Sequence, residues 1–93
     1  MLKHNTYFDG KVQSLGFERN GRRWTSGVMD AGEFAFSTDA PERMTVVSGE
    51  LLIKQAGDDA FRHYPAGTSF EVPGKSRFEL RVAGPAAYLC EYL

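Results

Sequence analysis

Ninety-three residues, 42% hydrophobic and 13% aromatic, suffice for one compact domain and are too few for two, so residues 1–93 are read as a single domain. A formal charge of −1, from 11 basic and 12 acidic residues, gives no broad field that would collect nucleic acid or an anionic membrane, so any bound anion must be held locally. One cysteine excludes an intrachain disulfide, the opening Met1-Leu2-Lys3-His4-Asn5-Thr6 has no apolar leader and no stretch is long enough to span a bilayer; together these predict a cytoplasmic protein.

Turn signals cut the chain into short runs with little room for helices. Asp9-Gly10 marks the first turn. Asn20-Gly21, between Lys11–Phe17 and Trp24–Met29, predicts a hairpin, because both central positions of a type I′ turn need positive φ. Asp30-Ala31-Gly32 opens the next run, and Pro41, which cannot donate to a ladder, marks an edge or loop over residues 37–42. Ser48-Gly49 predicts a second hairpin of the same kind, turning Met44–Val47 back into Leu51–Lys54. Further turns fall at Gly57-Asp58-Asp59, Pro65-Ala66-Gly67, Pro73-Gly74 and Gly84-Pro85. Phe78, Leu80 and Val82 alternate with Glu79 and Arg81, as in a half-buried strand. The last run, Tyr88 to Leu93, is largely apolar on both faces, which suits a strand buried in the fold or at a subunit contact. Cys90 falls within that alternation and reads as a strand residue, not a nucleophile. Short strands with tight turns favour a sandwich or barrel over an open sheet. Seven Phe, four Tyr and one Trp on so short a chain predict a homodimer.

Two segments carry a resemblance. Glu42 and Gly49, with six residues between them, resemble the end of the first cupin motif, with Ala35 to Thr38 standing where that motif places its metal-binding histidines. Gly67 to Phe78, containing Pro73-Gly74, resembles the second motif, with Ser76 or Arg77 in the place of its histidine. Together they imply an all-β cupin double-stranded β-helix, a jelly-roll-like closed barrel. The likeness narrows over Tyr7-Phe8-x-Gly10-Lys11-Val12, Gly27-Val28-Met29, Phe36-Ser37-Thr38, Pro41-Glu42-x-Met44-Thr45-Val46, Val72-Pro73-Gly74 and Tyr88-Leu89-Cys90-x-Tyr92-Leu93. These are similar to the small bacterial pyrimidine/purine nucleoside phosphorylases, which are one-domain cupins. The resemblance implies an enzyme that splits nucleosides of both classes with inorganic phosphate into free base and ribose 1-phosphate. It also implies no metal and no cofactor, phosphate being the co-substrate. His4 and His63 fit this: they lack ligand spacing, and His63 reads as a strand surface residue.

That chemistry needs a cation for phosphate, acceptors for the ribose hydroxyls and a surface for the base. Arg23 is the first phosphate candidate, because the family pattern carries an arginine just before this strand; Arg22 is the alternative, one position away. Arg43, Lys75 and Arg77 are further cations, with Arg77 in or beside the second motif's histidine position. Glu42 can accept from the 2′ and 3′ hydroxyls and oppose positive charge on the sugar. Ser37 and Thr38 offer hydroxyls where a metal cupin would hold its ion. A site for two base classes is best served by stacking, with Phe36 preferred among Tyr7, Phe8, Phe17, Phe36 and Tyr92. The competing readings are a non-catalytic cupin that binds a sugar or nucleotide, and a dimer whose aromatics only build core and interface.

Overall fold

The computed structural model describes residues 2–93. Ten strands follow in order: β1 (Lys3–Tyr7), β2 (Val12–Arg19), β3 (Arg22–Met29), β4 (Gly32–Ser37), β5 (Glu42–Ser48), β6 (Glu50–Gln55), β7 (Arg62–Pro65), β8 (Ser69–Val72), β9 (Arg77–Val82) and β10 (Ala86–Tyr92). They form two antiparallel sheets, one of six strands in the order β1-β2-β3-β10-β5-β8 and one of four in the order β4-β9-β6-β7. Among the described residues no helix is long and apolar enough to cross a membrane.

The sheets face each other across one core. Met29, Val46 and Val72 of the larger sheet meet Leu51, Ile53 and Leu80 of the smaller, each no more than 1% exposed. Each such side chain contributes about 1.5–3 kcal/mol by leaving water. The alternation that places Phe78, Leu80 and Val82 inward is the one visible in the sequence.

Two expectations need correction. The closed barrel is not formed, because neither sheet closes on itself: β1 and β8 remain edges of one, β4 and β7 of the other. Where β1 ends and β4 begins, aromatic side chains replace a hydrogen-bonded ladder. Tyr7 meets Phe36 edge-on at 5.6 Å between ring centroids, and Phe8 lies 4.9 Å from Phe34. The Ser48-Gly49 turn is not a hairpin either, for β5 belongs to the larger sheet and β6 to the smaller. Gly49 (φ 79°) passes so close to the next crossover that a Cβ there would stand 2.9 Å from the Pro85 carbonyl oxygen. The backbone turns a corner between layers at this point. By contrast Asn20 and Gly21 both take positive φ, and β2 pairs with β3 along their whole length, as a tight hairpin requires.

The last strand is the keystone of the larger sheet. β10 lies between β3 and β5, with Cys90 opposite both Thr25 and Met44, and Glu91 opposite both Trp24 and Arg43. Tyr88, Cys90 and Tyr92 therefore face the interior, while Ala87, Leu89 and Glu91 face outward.

Candidate active site

The loop before β5 is held in place by the turn before β9. Thr38 donates its hydroxyl to the Pro73 carbonyl (2.7 Å) and accepts from the Ser76 amide (3.0 Å), while its own amide donates to the Ser76 carbonyl (2.8 Å). Lys75 donates its amide to the Asp39 carbonyl at 3.1 Å. Gly74 permits this contact, since a Cβ there would lie 2.7 Å from the Asp39 oxygen. The two cupin-like segments thus clasp one another, and the clasp sets where Glu42 enters β5. Thr38 is buried, and its hydroxyl, expected to face substrate, is engaged in this clasp.

Beyond the clasp lies a cavity of about 160 Å³ between the sheets, lined by Thr25, Phe36, Ser37, Glu42, Cys90 and Tyr92 among others. Glu42 is half-buried, and the Cys90 thiol donates to its Oε1 at 3.3 Å. Burial raises the Glu42 carboxyl above its ordinary pKa, with the Cys90 hydrogen bond pulling the other way. Burial and then the Glu42 charge push the Cys90 thiol far up, so it stays protonated and serves as a donor. Tyr88 and Tyr92 are both pushed up to about 12, chiefly by burial, and keep their phenolic protons. The inner wall therefore carries several hydroxyl and thiol donors around one carboxylate.

Arg23 is exposed and does not itself line the cavity, but it lies against Tyr92, which does. Its guanidinium carbon lies 5.3 Å from the centre of the Tyr92 ring, and Tyr92 is in turn the cross-strand partner of Glu42. Arg23, Tyr92 and Glu42 form a row across β3, β10 and β5 on the inner face. Neither Arg23 nor Glu42 has an ion-pair partner among the described residues. One residue away on each strand, the outer face repeats the row with opposite character. Glu91 reaches Arg22 at 3.6 Å and Arg43 at 3.2 Å, and Arg43 also reaches Glu71 at 3.4 Å. Of Arg22 and Arg23, only Arg23 shares the face of Thr25 and Met29.

The other expected residues divide. Phe36 lines the cavity and packs against Tyr7, Phe8 and Phe78; Ser37 is exposed and lines it too. Arg77 is exposed beside the inward Phe78 and does not line the cavity, and neither do Arg43 and Lys75. Phe17 stacks on Trp24 outside it. His63 is exposed on β7 and pairs with Glu50 at 2.6 Å. No group of three or more His, Cys, Asp or Glu side chains gathers to hold a metal among the described residues. Sequence reading missed Thr25, Tyr88 and Cys90 as parts of the wall. Their signal was a polar side chain at every second position, but the register that aligns them across three strands cannot be read from alternation alone.

A larger, open groove lies on the outer side of β2 and β3, along Leu15, Ser26 and Val28. Its polar side chains, His4, Lys11, Gln13 and Asp30 among them, lie along an open surface where His4 and Gln13 are hydrogen-bonded to each other, whereas the inner cavity holds the half-buried Glu42; the inner cavity is taken as the candidate site.

Comparison with known proteins defines the class first. An RmlC-like cupin from Shewanella frigidimarina superimposes with a TM-score of 0.77 at 17% identity, over 98% of this chain and 82% of that one, which shows a cupin-type fold. The family follows from closer matches. The family model for pyrimidine/purine nucleoside phosphorylase matches residues 2–92, and the chain belongs to that family. A pyrimidine/purine nucleoside phosphorylase from Sorangium cellulosum is 69% identical over 93 residues, covering 100% of both chains. The crystal structure of a protein of unknown function from Vibrio parahaemolyticus matches with a TM-score of 0.98 at 52% identity, over 100% of this chain and 99% of that one.

Proposed function

We propose that this chain phosphorolyses purine and pyrimidine nucleosides in the inner cavity, without a metal ion. Family membership supports the reaction, and the row of unpaired Arg23 and Glu42 around Tyr92 is the observation that supports this location. Phosphate approaches C1′ of the ribose, an oxygen–carbon bond forms as the carbon–nitrogen bond breaks, and the departing base keeps the electron pair. The proton of HPO₄²⁻ passes to the base nitrogen, so atoms and charge balance. The sugar becomes cationic on the way. Glu42, half-buried without a counter-ion among the described residues, is stabilised by that developing charge more than by the neutral substrate, which is the condition for lowering a barrier. It also accepts from the ribose hydroxyls. Arg23 offers a planar fork of donors to phosphate beside Tyr92.

The cavity is smaller than the roughly 300–1,000 Å³ usual for ligand sites, so the ribose fills it and the base rests at the half-exposed rim. Phe36 and Tyr7 provide aromatic surface there that makes no demand on hydrogen-bond pattern, which suits both base classes. Purified protein given adenosine or uridine is expected to release base only with phosphate present, and to do so in EDTA. Release independent of phosphate, or abolished by EDTA, would overturn the reading.

Residues 1–93 act as one domain, and two copies pair through the outer face of the six-stranded sheet, where Leu15, Val28 and Val47 are 44%, 52% and 59% exposed. Light scattering is expected to give twice the chain mass, and Val28→Glu to halve it; a monomeric wild type removes the dimer. The work is done in the cytoplasm, where a lone buried thiol such as Cys90 stays reduced. Recovery of native enzyme only in the soluble intracellular fraction is the expected result.

A further inference from the structure

We infer that Tyr92 is a positioning residue for phosphate: its ring holds the Arg23 guanidinium and keeps it apart from Glu42, so that both charges stay open to substrate. The inference rests on the phosphorolytic reading of the cavity. Arg23 is on β3 and Glu42 on β5, with only β10 between them. At about 4.8 Å per strand their backbones are roughly 10 Å apart, a gap that an arginine and a glutamate side chain can bridge between them. Tyr92 projects into that gap from β10.

The chemistry of the spacer matters as much as its bulk. An aromatic face attracts a cation through its quadrupole and leaves the guanidinium N–H groups in their own plane, free to bind two phosphate oxygens. A carboxylate in the same place would consume those donors. Glu91 does this to Arg22 and Arg43 on the outer row. Glu18 lies opposite Arg23 in the β2–β3 register but forms no ion pair with it, and the guanidinium rests over the ring instead. The ring is fixed from its C-terminal side as well, since the Leu93 amide donates to the Pro41 carbonyl at 2.9 Å, next to Glu42.

The test combines kinetics at varied phosphate with calorimetric titration of inorganic phosphate into nucleoside-free enzyme. Tyr92→Leu is expected to raise both the phosphate KM and the phosphate Kd about tenfold, the scale of one partly desolvated cation–π contact. Nucleoside KM should change by less than about twofold, and Tyr92→Phe should keep the wild-type phosphate values. Tyr92→Met, which preserves side-chain volume without a π face, repeats the test where Leu lowers stability. The Arg23→Ala/Tyr92→Leu double variant should bind phosphate no more weakly than Arg23→Ala, because the effect runs through Arg23. Unchanged phosphate affinity in Tyr92→Leu, failure of Tyr92→Phe to match wild type, or additive losses in the double variant would each overturn the assignment. A wild type that binds phosphate but never releases base defeats the phosphorolytic reading, and the titrations still decide the role of Tyr92.

Discussion

The two faces of β3, β10 and β5 set the same kinds of residue in adjacent rows and reach opposite results. Outside, Arg22, Glu91 and Arg43 form a closed chain of charge in which each guanidinium has a carboxylate partner. Inside, Arg23, Tyr92 and Glu42 occupy the neighbouring positions, and an aromatic ring stands where the outer row has its carboxylate. The outer charges satisfy one another and have little left to offer a ligand. Among the described residues the inner charges have no ion-pair partner, only the Cys90 thiol at Glu42 and the Tyr92 ring at Arg23. Shifting the pattern by a single residue along each strand is therefore enough to separate a structural ion-pair chain from a candidate active site.

This contrast can be broken or sharpened by substitution. The largest effect is expected for Glu42→Ala, which removes the one carboxylate that lines the cavity among the described residues and should lower kcat/KM about 100-fold or more in a base-release assay. Retention of wild-type turnover would remove the inner row from the chemistry. Arg23→Ala should raise the phosphate KM about 10- to 100-fold, the range for losing charged hydrogen bonds. Arg22→Ala, one residue away, should change it by less than about twofold. Equal losses for the two arginines would erase the distinction between the faces.

A subtler effect concerns stability. Burial raises the Glu42 carboxyl above its ordinary 4.5, so the folded state holds that proton more tightly than the unfolded chain does. The cost of the buried charge is absent below the unfolded value, grows as pH rises through the raised folded value and is constant above it. Glu42→Gln should therefore increase Tm at neutral pH while losing activity, and the gap from wild type should close as pH falls toward 4.5 in thermal melts. A gap that widens on acidification would mean that the carboxylate is stabilised where it sits. The smallest effect is expected for Arg43→Ala: its side chain is 45% exposed and Glu91 keeps Arg22 as a partner, so the cost in a denaturant melt should be about 1 kcal/mol or less, with turnover unchanged.

Much of the fold was legible because its signals are local. Asn20-Gly21 specified a turn with both residues at positive φ, and the alternation around Phe78, Leu80 and Val82 named the inward face. Ser48-Gly49 misled because a glycine at positive φ is needed equally in a hairpin and at a corner between sheets. Only the proximity of Pro85 and Ala86 distinguishes the two. Closure of the barrel was likewise a property of edge strands far apart in sequence. The candidate site was legible in part: Phe36, Ser37 and Glu42 line one cavity, and Arg23 lies over the ring of Tyr92, which lines it too. Thr38 left the set because its hydroxyl is taken up by the Pro73–Ser76 turn, and Arg77 because the strand pleat carries it away from the cavity. Tyr92 was visible only as one aromatic among several, since its place between two charges depends on a three-strand register.

The position of β10 has a consequence for the order in which the molecule is built. The β2–β3 hairpin can close early, from neighbours in the chain, as Asn20-Gly21 favours. Strands β3 and β5 have no shared ladder until β10, the latest of the described strands to leave the ribosome, inserts between them. That step joins segments 39 to 50 residues apart, from Ala87–Ser48 to Tyr92–Glu42, and is the kind of non-local pairing that slows folding. Arg23 and Glu42 are thus synthesised early but remain strangers until the last strand arrives, bringing Ala86, Tyr88 and Cys90 of the core with it.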